Sequence, residues 1–198
     1  MKSNVCKIEK GSKDLDAILK ESEKVAIYNG LNQKQTLQLR LLCEEMDGML
    51  PNIIDDFSGD IWFEFENGIC KVNVSIQFDE FSFDKKERLI SIAKNKKNAA
   101  AIGIVGKIRS VIEDFFLDGK SLQPYVVSSG LFNLATGYSE GVDYSYLWSL
   151  GQYKNTVKQE QAEDWDELEK SIIASLADDV IVGVKGKQAN IVIVKNFN

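Results

Sequence analysis

The sequence predicts an α+β protein, a two-layer α/β sandwich with a mostly antiparallel mixed sheet and helices on one face. Three observations predict it. Asn67-Gly68 stands between two strand-like runs, a strong hairpin signature. Apolar residues recur in steps of three and four from Leu39 to Ile53, as on one face of a helix. The predicted order is strand, two helices, hairpin, two helices, strand, helix, hairpin, so helices interrupt paired strands instead of alternating with them one for one.

Val5 to Ile8 reads as a short strand. Ser12-Lys-Asp-Leu-Asp opens a helix with a capping serine and acidic first-turn residues, and Asn29-Gly30 ends it. A longer helix follows Leu31-Asn32 and carries Leu39, Leu42, Met46, Met49 and Ile53, with Pro51 kinking it or ending its regular part. Ile61–Glu66 and Ile69–Phe78 form the hairpin; Val72, Val74 and Ile76 take the core face, and Lys71, Asn73, Ser75 and Gln77 the wet or helix-edge face. A short helix is expected over Asp84–Ala93, then a Lys-Asn loop, then a helix over Ala99–Phe116 with its glycines near the start. Tyr144, Tyr146, Trp148 and Leu150 alternate with smaller residues as a strand does, and Asp164 opens a helix that stops near Asp178-Asp179. Val180–Val184 and Ala189–Val194 around Lys-Gly-Lys close the chain with a second hairpin.

With 198 residues, one core is expected: a single domain over 1–198, with an insert or extension at about 119–163. A content of 44% hydrophobic and 27% charged residues with two prolines describes a folded globular chain. The net charge of -6 argues against wrapping a nucleic acid, whose phosphates need a surplus of Lys and Arg on one face. No apolar run is long enough for a membrane span, and MKSNVCKIEK lacks the apolar core of a secretory signal, so a cytoplasmic location is expected. Cys6, Cys43 and Cys70 form no Cys-x-x-Cys pair and read as small core residues. The absence of histidine removes Ser-His-Asp and Cys-His nucleophiles and histidine-ligated metals, leaving carboxylates, Lys, Ser, Thr, Tyr and backbone groups for any chemistry.

Three stretches carry candidate chemistry. Leu41-Leu-Cys-Glu44-Glu45-Met-Asp47-Gly48-Met places two carboxylates on a helix; Asp79-Glu-Phe81-Ser-Phe83 follows the hairpin; Gly103-Ile-Val-Gly106-Lys107 opens a helix after a polar loop containing Asn98. In this order they resemble the GHKL, or Bergerat-type, ATP-binding fold, and the small anti-sigma-factor serine kinases most of all. The resemblance covers roughly residues 1 to 118. It implies a helix that presents Glu and, four residues later, Asn to a nucleotide, the Glu orienting water and the Asn holding Mg²⁺. It implies an Asp-x-Gly-x-Gly stretch at the adenine and a glycine turn at the phosphates. Here Glu44 has Gly48 four positions on and Glu45 has Met49, and both glycines after Asp79 are phenylalanines, so the motifs are degenerate.

On a helical wheel Glu45 lies about 100° from the centre of the apolar stripe, while Glu44 points nearly away, which makes Glu45 the candidate catalytic base. Glu44, Gly48, Asp79, Asn98, Gly103, Gly106 and Lys107 are the candidate nucleotide-binding positions, with ATP and Mg²⁺ as the implied ligands. Each also has a plainer reading. The glycines can serve close packing, the glutamates a solvated face, Asp79 a cap before Asp84, and Tyr138, Tyr144, Tyr146, Trp148 and Tyr153 core packing. The expected function is a regulatory module that binds a protein partner, as anti-sigma factors do, with nucleotide binding weak or lost. The alternative is an active ATPase or serine kinase with Glu45 as base. A third reading is a structural or oligomerisation protein whose insert covers the pocket, and a homodimer is compatible with all three.

Overall fold

The computed structural model describes residues 1–11, 15–54, 56–78, 103–118, 146–160 and 171–198. Its elements are β1 (Cys6–Glu9), α1 (Leu15–Tyr28), α2 (Gln33–Ile53), β2 (Ser58–Glu66), β3 (Ile69–Gln77), α3 (Ile104–Asp118), β4 (Tyr146–Ser149), α4 (Leu150–Glu160), α5 (Ile172–Leu176), β5 (Asp179–Lys185) and β6 (Gln188–Asn196). The six strands lie in the order β1-β2-β3-β6-β5-β4. Every described pair is antiparallel, so the parallel component expected of a mixed sheet does not occur among the described residues.

The local chemistry explains the elements. Asn67 and Gly68 have φ of 49° and 76°, the left-handed pair that a two-residue hairpin of matching twist requires. Asn32 caps α2: its side chain accepts from Gln35 N–H, and the Gln35 side chain accepts from Asn32 N–H. The predicted stripe of Leu39, Leu42, Met46, Met49 and Ile53 is buried, and α2 ends two residues past Pro51.

The core lies between the sheet and the helices. Val72, Val74 and Ile76 of β3 and Val180, Val182 and Val184 of β5 meet residues from all five described helices there, including Ile18, Leu42, Ile108, Leu150 and Ile173. Cys43 and Cys70 are part of it, and Cys6 packs at its margin. The helices therefore stack on one face, giving the predicted two layers.

Two regions depart from the sequence reading. Residues 150–160 form α4, where no helix is expected; its start is capped by Ser149, whose Oγ accepts from Gln152 N–H, and by Asp179, which accepts from Gly151 N–H at 2.8 Å. The other is Asn73. It lies on the face away from the helices, yet is only 1% exposed. The register aligns it with Trp62 on β2 and Val192 on β6, and Val192 with Ile181 on β5. All four are buried, and the three apolar ones stand apart from the helix-side core. The predicted helix over Asp84–Ala93 lies outside the described residues, as do the start of the Asp164 helix and most of the insert.

Candidate functional site

Helix α2 carries its two glutamates to opposite neighbours. Arg40, one turn before Glu44, donates to Glu44 at 3.1 Å and to Glu23 of α1 at 2.6 Å, so Glu44 belongs to the α1–α2 contact. Glu45, 100° further round the helix, shares its side of α2 with Asn52, seven residues on. There the Asn52 carbonyl accepts from the Arg109 guanidinium of α3 at 3.3 Å. Glu45 is half-buried and, among the described residues, has neither hydrogen bond nor ion pair. One turn on, Gly48 is exposed, and among the described residues nothing beyond its chain neighbours and its own helix's backbone lies within 4 Å of where a Cβ would stand. Gly48 thus leaves an open notch where the resemblance implies a carboxamide in the register of Glu44, and in the register of Glu45 that position is the buried Met49.

Helix α3 supplies the second part. Gly103 is buried, and its carbonyl accepts from Lys107 N–H at 3.1 Å, closing the first helical turn. The amides of Ile104, Val105 and Gly106 precede that first bond and have no partner within the helix. Lys107 does not extend free from this turn. Its ammonium rests 4.6 Å from the centroid of the Tyr153 ring of α4. Tyr153 is 4% exposed and in turn lies against Trp148, their centroids 6.1 Å apart. These two aromatics are core residues, as their plainer reading expects. Two residues past Lys107, Arg109 is 7% exposed and donates to Glu113 at 2.7 Å, so α3 is pinned to α2 by a buried guanidinium.

Glu45, Gly48, Gly103, Gly106 and Lys107 therefore belong to the paired helices α2 and α3, whereas Glu44 turns toward α1. Asp79, Phe81, Phe83 and Asn98 lie outside the described residues. Among the described residues no group of three or more acidic or cysteine side chains is placed to hold a metal ion. Mg²⁺ takes a near-octahedral oxygen shell, commonly one or two carboxylates plus phosphate and water, and the described donors fit that shell poorly.

Arg109 is a neighbour of these candidate positions that the sequence reading missed, whereas Tyr153 is named there as core packing and only its contact with Lys107 was missed. Arg109 had a signal in Glu113, four residues on, the spacing of a helical ion pair. The contact of Lys107 with Tyr153 had none, because the helix that carries Tyr153 is not expected from the sequence. Among the described residues no helix is long and apolar enough to cross a membrane. No protein-family model, curated protein or solved structure matches the chain.

Proposed function

We propose that the chain is a regulatory, protein-binding module on a degenerate GHKL-like frame, comparable to an anti-sigma factor, in which nucleotide binding is weak or lost. The observation that carries this reading is the engagement of Lys107. In the phosphate-binding reading its ammonium would meet an anion at the glycine turn; instead it lies on the Tyr153 ring. Gly48 and the buried Met49, which stand four residues after Glu44 and Glu45 and supply no oxygen ligand from their side chains, support the same reading. Leu37 and Leu41, one turn apart on the outer side of α2, are 51% and 37% exposed and offer a partner apolar surface. Calorimetric titration with an ATP analogue and Mg²⁺ tests the reading. The expected result is no saturable binding tighter than ~1 mM; Mg²⁺-dependent binding in the micromolar range overturns it.

One observation favours an active ATPase or serine kinase as the second reading: among the described residues the half-buried Glu45 carboxylate has no partner, as expected of a base that orients a nucleophile. Under that reading Glu45→Gln abolishes turnover and leaves nucleotide affinity in place. Turnover unchanged by this substitution removes Glu45 from any catalytic role.

A further inference from the structure

Strand β1 is the end strand of the sheet, and its outer edge has no backbone partner among the described residues. Lys10 N–H donates to Phe57 O at 3.2 Å, in line with the register Ile8↔Gly59 and Glu9↔Ser58. Backbone groups alternate along an antiparallel ladder, so Cys6, Ile8 and Lys10 turn theirs to β2, while Lys7 and Glu9 turn theirs outward. The side chains alternate too. Ile8, 4% exposed, enters the core, and Lys7 and Glu9 leave on the face away from the helices.

We propose that two copies of the chain join through this edge, β1 against β1, antiparallel about a two-fold axis at Ile8. Lys7 then lies opposite the partner's Glu9, and Glu9 opposite the partner's Lys7. Lys-Ile-Glu is complementary in charge to its own reverse, which is what an isologous contact demands of a surface and what an unrelated strand would have no reason to satisfy. The backbone imposes the same phase. The residues that meet as hydrogen-bonded pairs in this register are Lys7 and Glu9, the two whose amides and carbonyls point outward. A shift by two in either direction sets Lys7 against Lys7 or Glu9 against Glu9, and a shift by one sets a core-facing residue against an outward one. Charged edge strands ordinarily repel further strands; here the charges admit one partner in one register.

The joined sheet has twelve strands, six from each copy. Lys7 can serve both contacts, because its side chain is 82% exposed while its ammonium sits 2.6 Å from Asp60 Oδ1 of its own chain. A cavity of about 420 Å³ lined by Lys7, Glu9, Ser58, Asp60, Ser75 and Gln77 opens on the same face, so the axis brings the cavities of the two copies side by side.

Sedimentation equilibrium of the full chain tests the proposal. The wild type is expected at twice the 22.2 kDa chain mass. Glu9 has no side-chain partner of its own among the described residues, so Glu9→Lys leaves the monomer fold intact while placing like charges across both halves of the edge. It is expected to raise the dimer dissociation constant by about tenfold or more, and Lys7→Glu to do the same. An equimolar mixture of Glu9→Lys and Lys7→Glu chains restores complementarity at both pairs and is expected to form a heterodimer. A monomeric wild type, a dimer indifferent to Glu9→Lys, or a mixture that stays monomeric each overturns the proposal; urea unfolding of each variant establishes that it is folded.

Discussion

The ammonium of Lys107 stands 4.6 Å from the centre of the Tyr153 ring, which joins the first turn of α3 to α4. A cation over an aromatic face at a half-buried position contributes about 0.5–1 kcal/mol. Lys107→Met keeps the aliphatic stem and removes the charge, so it is expected to lower unfolding stability by that amount. Tyr153→Ala also removes a buried ring and is expected to cost about 3–5 kcal/mol. Urea unfolding of the two variants measures both, and equal losses would mean that packing, not charge, holds the lysine.

Asn73 is expected to be a site where a substitution stabilises. Its Oδ1 is buried with no hydrogen-bond partner among the described residues, and its Nδ2 makes one long bond of 3.3 Å to Lys71 O. Valine at this position would match Val192 and Trp62 beside it and remove the unsatisfied acceptor. Asn73→Val should therefore raise stability by about 1–2 kcal/mol. A loss of stability in thermal unfolding would show that the amide has a role its hydrogen bonds do not reveal.

Glu21 ties the first residues of the chain to α1. Burial alone would raise the pKa of its carboxyl, but the Lys24 ammonium and the backbone and side-chain N–H groups of Asn4 outweigh it, and the pKa lies below the ordinary 4.5. Because the folded value is the depressed one, Glu21 contributes stability that is fully present above the ordinary carboxyl range and is lost as pH falls through the folded value. The stability gap between wild type and Glu21→Gln, measured by urea unfolding from neutral pH downward, should narrow below about pH 4.5. A gap constant with pH would contradict this assignment.

The three cysteines should separate by reactivity. Burial pushes the Cys43 thiol far up, helped by the neighbouring Cys70, and burial pushes Cys70 up to about 12. Cys6 is half-buried at the sheet margin. A thiol reagent at mildly alkaline pH is expected to modify Cys6 alone in the native chain and all three in denaturant. Rapid native modification of Cys43 would mean that α2 lifts from the sheet.

Much of this fold was legible because the signals were local. Asn67-Gly68 announced its hairpin by a backbone requirement that few other residue pairs meet, and the stripe from Leu39 to Ile53 announced α2 by spacing alone. The same wheel separated Glu45 from Glu44, and the structure pairs Glu44 with Arg40. Helix α4 was not legible: Leu-Gly-Gln-Tyr-Lys-Asn-Thr-Val-Lys-Gln-Glu carries too few apolar residues for a clear period, and Asp179, which helps to cap it, lies twenty-eight positions from Gly151. Asn73 was misread for a related reason. Alternation assigns a strand's polar residues to solvent, and the burial of that face depends on what lies over the sheet, which alternation does not record.

The position of β6 has a consequence for how the molecule is made. Among the described strands it comes last in chain order, yet it lies between β3 and β5 and supplies the ladder that links the early hairpin to the later strands. A nascent chain halted before Gln188 holds two fragments of the described sheet, β1-β2-β3 and β4-β5, without the strand that joins them. Cooperative folding must wait until this closing strand emerges from the ribosome, and until then the edges that it covers are exposed to capture by chaperones or by other unfinished chains.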